Sequence, residues 1–79
     1  MVVIEFRAPM MSERERDEFL GSIIETGAHV DAAELAPDGR GRIEFHTDDM
    51  EFGEVRELRR WLEAQPNVAN INLSLAPDP

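Results

Sequence analysis

The chain has 79 residues, 42% hydrophobic and 32% charged, with 17 Asp and Glu against 8 basic residues and a formal net charge of −9. That length supports one domain with a modest core. Every basic residue is Arg and there is no Cys, which excludes disulfides, thiolate metal sites, thiol nucleophiles and lysine chemistry.

No apolar run approaches the ~20 residues of a membrane-spanning helix. The opening Met-Val-Val-Ile-Glu-Phe-Arg has neither the basic start nor the apolar stretch of a secretory signal. A cytoplasmic location, away from membranes, is the default expectation.

Val2, Ile4 and Phe6 alternate with Val3, Glu5 and Arg7, which predicts a half-buried strand over residues 2–7. Ala8-Pro9 ends it. Ser12 with Glu15 three residues later predicts a capping box. The helix it opens runs to Thr26, with Phe19, Leu20, Ile23 and Ile24 on its apolar face. Gly27 is read as a left-handed stop.

Strands over 30–36 and 41–47 flank Pro37-Asp38-Gly39-Arg40. Asp-Gly favours a two-residue hairpin loop, so Pro37 is expected opposite Arg40 and Ala32 opposite Phe45. A second helix is expected from Asp48 or Asp49 to Ala64. Its stripe is Phe52, Val55, Leu58 and Leu62, with Met50 and Trp61 on the flanks, and Gln65-Pro66 stops it. The last strand, residues 67–76, directs Ala69, Ile71, Leu73 and Leu75 inward. Pro77-Asp78-Pro79 reads as a tail, leaving one domain over residues 1–76.

This order, β-α-β-β-α-β, predicts an α+β ferredoxin-like sandwich. Two helices cover one face of a four-stranded antiparallel sheet of order 4-1-3-2. The other face stays open and is expected to carry Val3, Glu5, Arg7, Leu35, Arg42, Glu44, Val68, Asn70, Asn72 and Ser74.

The segments Ser12 to Thr26 and Asp48 to Glu63 hold 11 of the 17 acids and 5 of the 8 arginines. Glu13, Glu15, Asp48, Asp49 and Glu51 are assigned to first turns, where carboxylates favour the helix dipole. Solubility accounts for much of the rest. As a functional feature, rows of carboxylates suit a basic protein that normally binds nucleic acid. In charge the chain resembles small acidic inhibitors of nucleases and other nucleic-acid-binding systems. Direct nucleic-acid binding is disfavoured, because the net charge opposes phosphate contact and the open face lacks stacking aromatics.

The expected register sets Asp31 opposite His46 and His29 opposite Asp48. Two imidazoles and two carboxylates at one end of the sheet make a candidate zinc site, beside a plain reading as surface pairs. Met10-Met11 occupies the loop where heavy-metal-associated domains, similar in topology, carry two cysteines. Without them the soft ligands are missing, so no cofactor is expected. Amino-acid-sensing ACT domains are also similar in topology. That resemblance implies a homodimer with a ligand near Arg7 to Ser12, where Arg7 could meet a carboxylate.

No nucleophile elbow or phosphate loop is present. Glu34 falls on the expected inward side of an edge strand, where a charge guards against edge pairing. The resulting expectation is a non-enzymatic protein-binding module of inhibitor or immunity type. Its candidate contacts are Glu51, Glu54 and Glu57 on the acidic side and Asn70, Asn72 and Ser74 on the sheet face. The last strand, an uncharged edge, is a candidate homodimer contact, and an ACT-like homodimer is the alternative.

Overall fold

The structure, a computed structural model, describes residues 1–27 and 29–77. Its elements are β1 (Val2–Arg7), α1 (Glu13–Thr26), β2 (Val30–Leu35), β3 (Arg40–Phe45), α2 (Gly53–Glu63) and β4 (Ala69–Leu75). The strands form one sheet of order β2-β3-β1-β4, antiparallel at every junction. This is the expected ferredoxin-like βαββαβ arrangement. Of the tail, Asp78 and Pro79 lie outside the described residues.

Both helices bury their apolar stripes on one sheet face. Phe19 and Ile23 of α1 and Val55, Leu58 and Leu62 of α2 meet Val2, Ile4, Phe6, Ile43 and Phe45 of the central strands. α1 packs on β2 and α2 on β4. An aromatic chain crosses the layers: the Phe6 and Phe19 ring centroids are 5.8 Å apart, and those of Phe19 and Trp61 5.1 Å. The Ser12–Glu15 capping box forms as expected, and Met11 packs against the core. Ile24, expected inward, is 62% exposed.

Three local expectations are corrected. The hairpin pairs Leu35 with Gly41, Glu34 with Arg42 and Ala33 with Ile43, one residue away from the expected register. Ala36 N–H donates to Arg40 O, and Gly39 N–H donates to Ala36 O. The loop is therefore the three residues Pro37-Asp38-Gly39, with only Gly39 at positive φ, +93°. A Cβ on Gly39 would come within 2.5 Å of Pro9, so both backbone strain and space require glycine there. A side-chain period of two means that one residue of slip exchanges faces. Leu35 is thus buried in the core and Glu34 is exposed on the open face, the reverse of the expectation. An irregularity between Val30 and Ala32 leaves Asp31 as the extra residue and sets Val30 opposite Phe45.

Secondly, α2 begins at Gly53 rather than Asp48 or Asp49. Asp49 Oδ1 accepts the Glu51 N–H and Thr47 Oγ1 accepts the Asp49 N–H. These local side-chain bonds compete with the helix and hold residues 47–51 as turns. Thirdly, a register shift in the β1–β4 pairing surrounds Asn70, whose φ is +55°. Past it the parity changes, and Val68 packs against the core instead of the open face. Gly27 also differs: its backbone is extended, and its requirement is space, since a Cβ would lie 2.6 Å from Val30 Cγ2.

Gly41 lies opposite Phe6, and a Cβ there would overlap the Phe6 ring. The ring is pinned by Phe19 and cannot turn away freely. Gly41→Ala should therefore lower stability by about 1–3 kcal/mol, the usual cost of overpacking a core. Urea unfolding should show an earlier midpoint with an unchanged slope; an unaltered midpoint would contradict this packing.

Candidate functional site

The four residues of the expected zinc site are not assembled. Asp31 is the extra residue in β2 and faces no partner in β3. Asp48 Oδ1 lies 2.8 Å from the Met1 amine. Among the described residues, no group of three or more His, Cys, Asp or Glu is placed to hold a metal ion. His29 and His46 do approach, with ring centroids 5.4 Å apart.

The carboxylate that binds His29 is Glu54, from the first turn of α2. Its Oε2 lies 2.6 Å from His29 Nδ1 and accepts the His29 backbone N–H at 2.8 Å. Phe52 meets the His29 ring edge-on, 5.2 Å between centroids. The His29 side-chain hydrogen bond holds the Glu54 carboxyl below its ordinary value, aided by the backbone hydrogen bond and by the charges of His29 and His46. Burial opposes this. The arrangement ties the α1–β2 connection to the start of α2, a helix that has no side-chain cap. The two residues are 25 apart in sequence, so no local pattern announced the pair. Two serine hydroxyls are engaged elsewhere: Ser12 caps α1, and Ser22 Oγ donates to Glu18 O.

In the loop that an ACT-like reading would use, Ala8 is buried and its N–H donates to Gly39 O, Pro9 sits against Gly39, and Met11 packs on the core. Arg7, Pro9, Met10 and Ser12 are exposed, and Arg7 lines a shallow cavity with Glu5, Arg40 and Asn70.

The open face carries one charged row and one largely uncharged row. Glu34, Arg42, Glu5 and Asn72 form one row across the four strands, and Ala32, Glu44, Val3 and Ser74 form the next. Arg42 Nε donates to Glu44 Oε1 at 3.0 Å. Opposite charges facing across strands are favourable. Neither row contains an aromatic side chain on which a base could stack.

The acidity is polarised. α1 has five acids against two arginines, and β2 adds Asp31 and Glu34 with no basic residue. The turns before α2 hold Asp48, Asp49 and Glu51, of which Asp48 pairs with the Met1 amine and Glu51 borders the groove beside Leu73 of β4. In contrast α2 balances three acids with three arginines and β4 has no charge. Of the expected acidic contacts, Glu51 and Glu57 are exposed, while Glu54 is occupied by His29. Asn70 and Asn72 are exposed on β4 and Ser74 is half-buried. No helix among the described residues is long and apolar enough to cross a membrane.

His29→Ala should raise the Glu54 titration midpoint toward the ordinary glutamate value of about 4.3, followed through its side-chain carboxyl signal in a pH series. The folded-state pKa is depressed. The stabilisation from this pair is therefore present above the unfolded-state pKa and is lost as pH falls through the folded-state value. An identical midpoint in the variant would remove the pair as the cause.

Compared with family models, curated proteins and solved structures, the chain matches none.

Proposed function

We propose that this chain is a non-enzymatic protein-binding module, of inhibitor or immunity type, that docks its acidic side on a basic protein. The observation that carries this reading is the charge polarity. Carboxylates of α1 and β2 outnumber their arginines seven to two, while α2 and β4 are neutral. Solubility alone requires charge but not its segregation. A one-signed surface steers an oppositely charged partner and disfavours wrong ones.

The same field opposes nucleic acid, whose phosphates it repels. A protein that itself binds nucleic acid presents the complementary basic surface. The contact set starts from exposed Glu13, Asp17, Glu18 and Asp31, with Glu57 adjoining on α2, whereas Glu51 borders the groove beside Leu73 and belongs to the β4 side. Asn70, Asn72 and Ser74 lie on the neutral β4 side and belong to a different contact.

The test is capture from the native cell with two baits, the unaltered chain and an E13R/D17R/D31R variant, each eluted by a salt gradient. All three sites are exposed, so the variant should fold. The expected result is a basic protein held by the unaltered bait, released as salt rises, and absent or at least about tenfold depleted on the variant. The same retained proteins on both baits would overturn the acidic docking surface.

A further inference from the structure

The two sheet edges differ. The β2 edge carries exposed Asp31 and Glu34 and an extra residue that breaks its regularity, devices that discourage strand addition. The β4 edge has no charge and no proline, and its pairing to β1 is regular from Asn72 to Leu75, the register shift lying between Asn72 and Ala69.

Its backbone directions follow from the pairing to β1. Ala76 N–H donates to Met1 O at 2.9 Å, and the Met1 amine lies 3.3 Å from Ala76 O, which makes Met1 and Ala76 a hydrogen-bonded pair. Such pairs alternate along an antiparallel ladder, so Val3–Ser74 and Glu5–Asn72 are bonded pairs too. The N–H and C=O groups of Asn72 and Ser74 therefore point to β1. Those of Ile71, Leu73 and Leu75 point outward, where no backbone partner exists among the described residues.

We propose that this edge pairs with β4 of a second copy, antiparallel about a two-fold axis at Leu73, joining the two sheets into one. That register sets Leu73 against Leu73 and Ile71 against Leu75. Each pair exchanges both of its backbone hydrogen bonds, because all three residues present outward groups. On the helix side, Ile71 and Leu73 already lie against the core and Leu75 is 57% exposed, so pairing extends one apolar row across both copies. On the open face, Asn72 meets Ser74 of the other copy, two polar groups without charge.

Electrostatics selects the second copy as occupant. Two chains of net charge −9 repel at any acidic surface, so self-association must use a neutral one. β4 carries no charge and α2 beside it balances to zero. The groove between them holds Arg56, Arg59 and Arg60 as well as Glu51 and Glu63, so a copy brought there meets opposite charges as well as like ones. Strand addition buries less area than a standard interface, and the dimer is expected to be weak, with a Kd of about micromolar or higher.

The experiment follows the full chain by sedimentation and by residue-resolved amide exchange, at protein concentrations from about 10 μM to about 1 mM. The expected mass rises toward twice 9.0 kDa with concentration. Added salt should strengthen association by screening the −9 charges, the opposite of its effect on a basic partner. Exchange at Ile71, Leu73 and Leu75 should slow at least about tenfold as the dimer forms, while Asn72 and Ser74 exchange as before. Leu75→Pro removes an outward donor at a position where an edge strand tolerates proline and should abolish the dimer. A monomer throughout the range overturns the proposal. So does a dimer whose three outward amides exchange as in the monomer, a readout on the unaltered chain that holds even if the proline variant fails to fold.

Discussion

The turn at Pro37-Asp38-Gly39 is the constraint on which the β2 half of the molecule depends. Gly39 takes positive φ in close contact with Pro9, so the loop closes on Ala36 and Arg40 and no other register is compatible with it. From that closure, period-two geometry sends Leu35 to the core and Glu34 to the open face. Across the separate β1–β3 pairing Gly41 lies beneath the Phe6 ring. Phe6 in turn meets Phe19, and Phe19 meets Trp61, which links the sheet to both helices.

The turn also shapes the surface. Glu34 stands outward on the same strand as Asp31, and the two sheet edges differ: β2 is acidic, while β4 is uncharged and regular from Asn72 to Leu75. α1 lies over the acidic edge and α2 over the neutral one. The electrostatic polarity of the molecule is thus a consequence of register and helix placement together. Total charge bounds the class of partner; its segregation says which side meets that partner and which side can meet another copy.

Much of the fold was legible in sequence because its signals are local. Ser12 and Glu15 announce a capping box, Val2 to Arg7 alternate, and the Phe52 to Leu62 stripe has helical spacing. Parity changes were not legible. The extra residue at Asp31 and the positive φ of Asn70 each reverse which residues face inward, and nothing in the flanking residues distinguishes an irregular strand from a regular one. The start of α2 was misread because Asp48 and Asp49 suit a helix start as well as a turn, and side-chain bonds from Thr47 and Asp49 favour the turn. The His29–Glu54 pair, unlike a motif, arises only from tertiary structure. The zinc reading failed with the register that supported it.

The hairpin register is tested most directly by cross-strand Hα–Hα contacts measured by NMR. Ala36 and Arg40 form a hydrogen-bonded pair, so alternation makes Leu35–Gly41 and Ala33–Ile43 the close, non-bonded pairs, with Cα atoms about 4.5 Å apart. The account predicts strong Hα–Hα cross-peaks for those two pairs. Cross-peaks joining Glu34 to Ile43 and Ala32 to Phe45 would contradict it, returning Glu34 to the core side and removing the acidic edge on which the proposed partner surface rests.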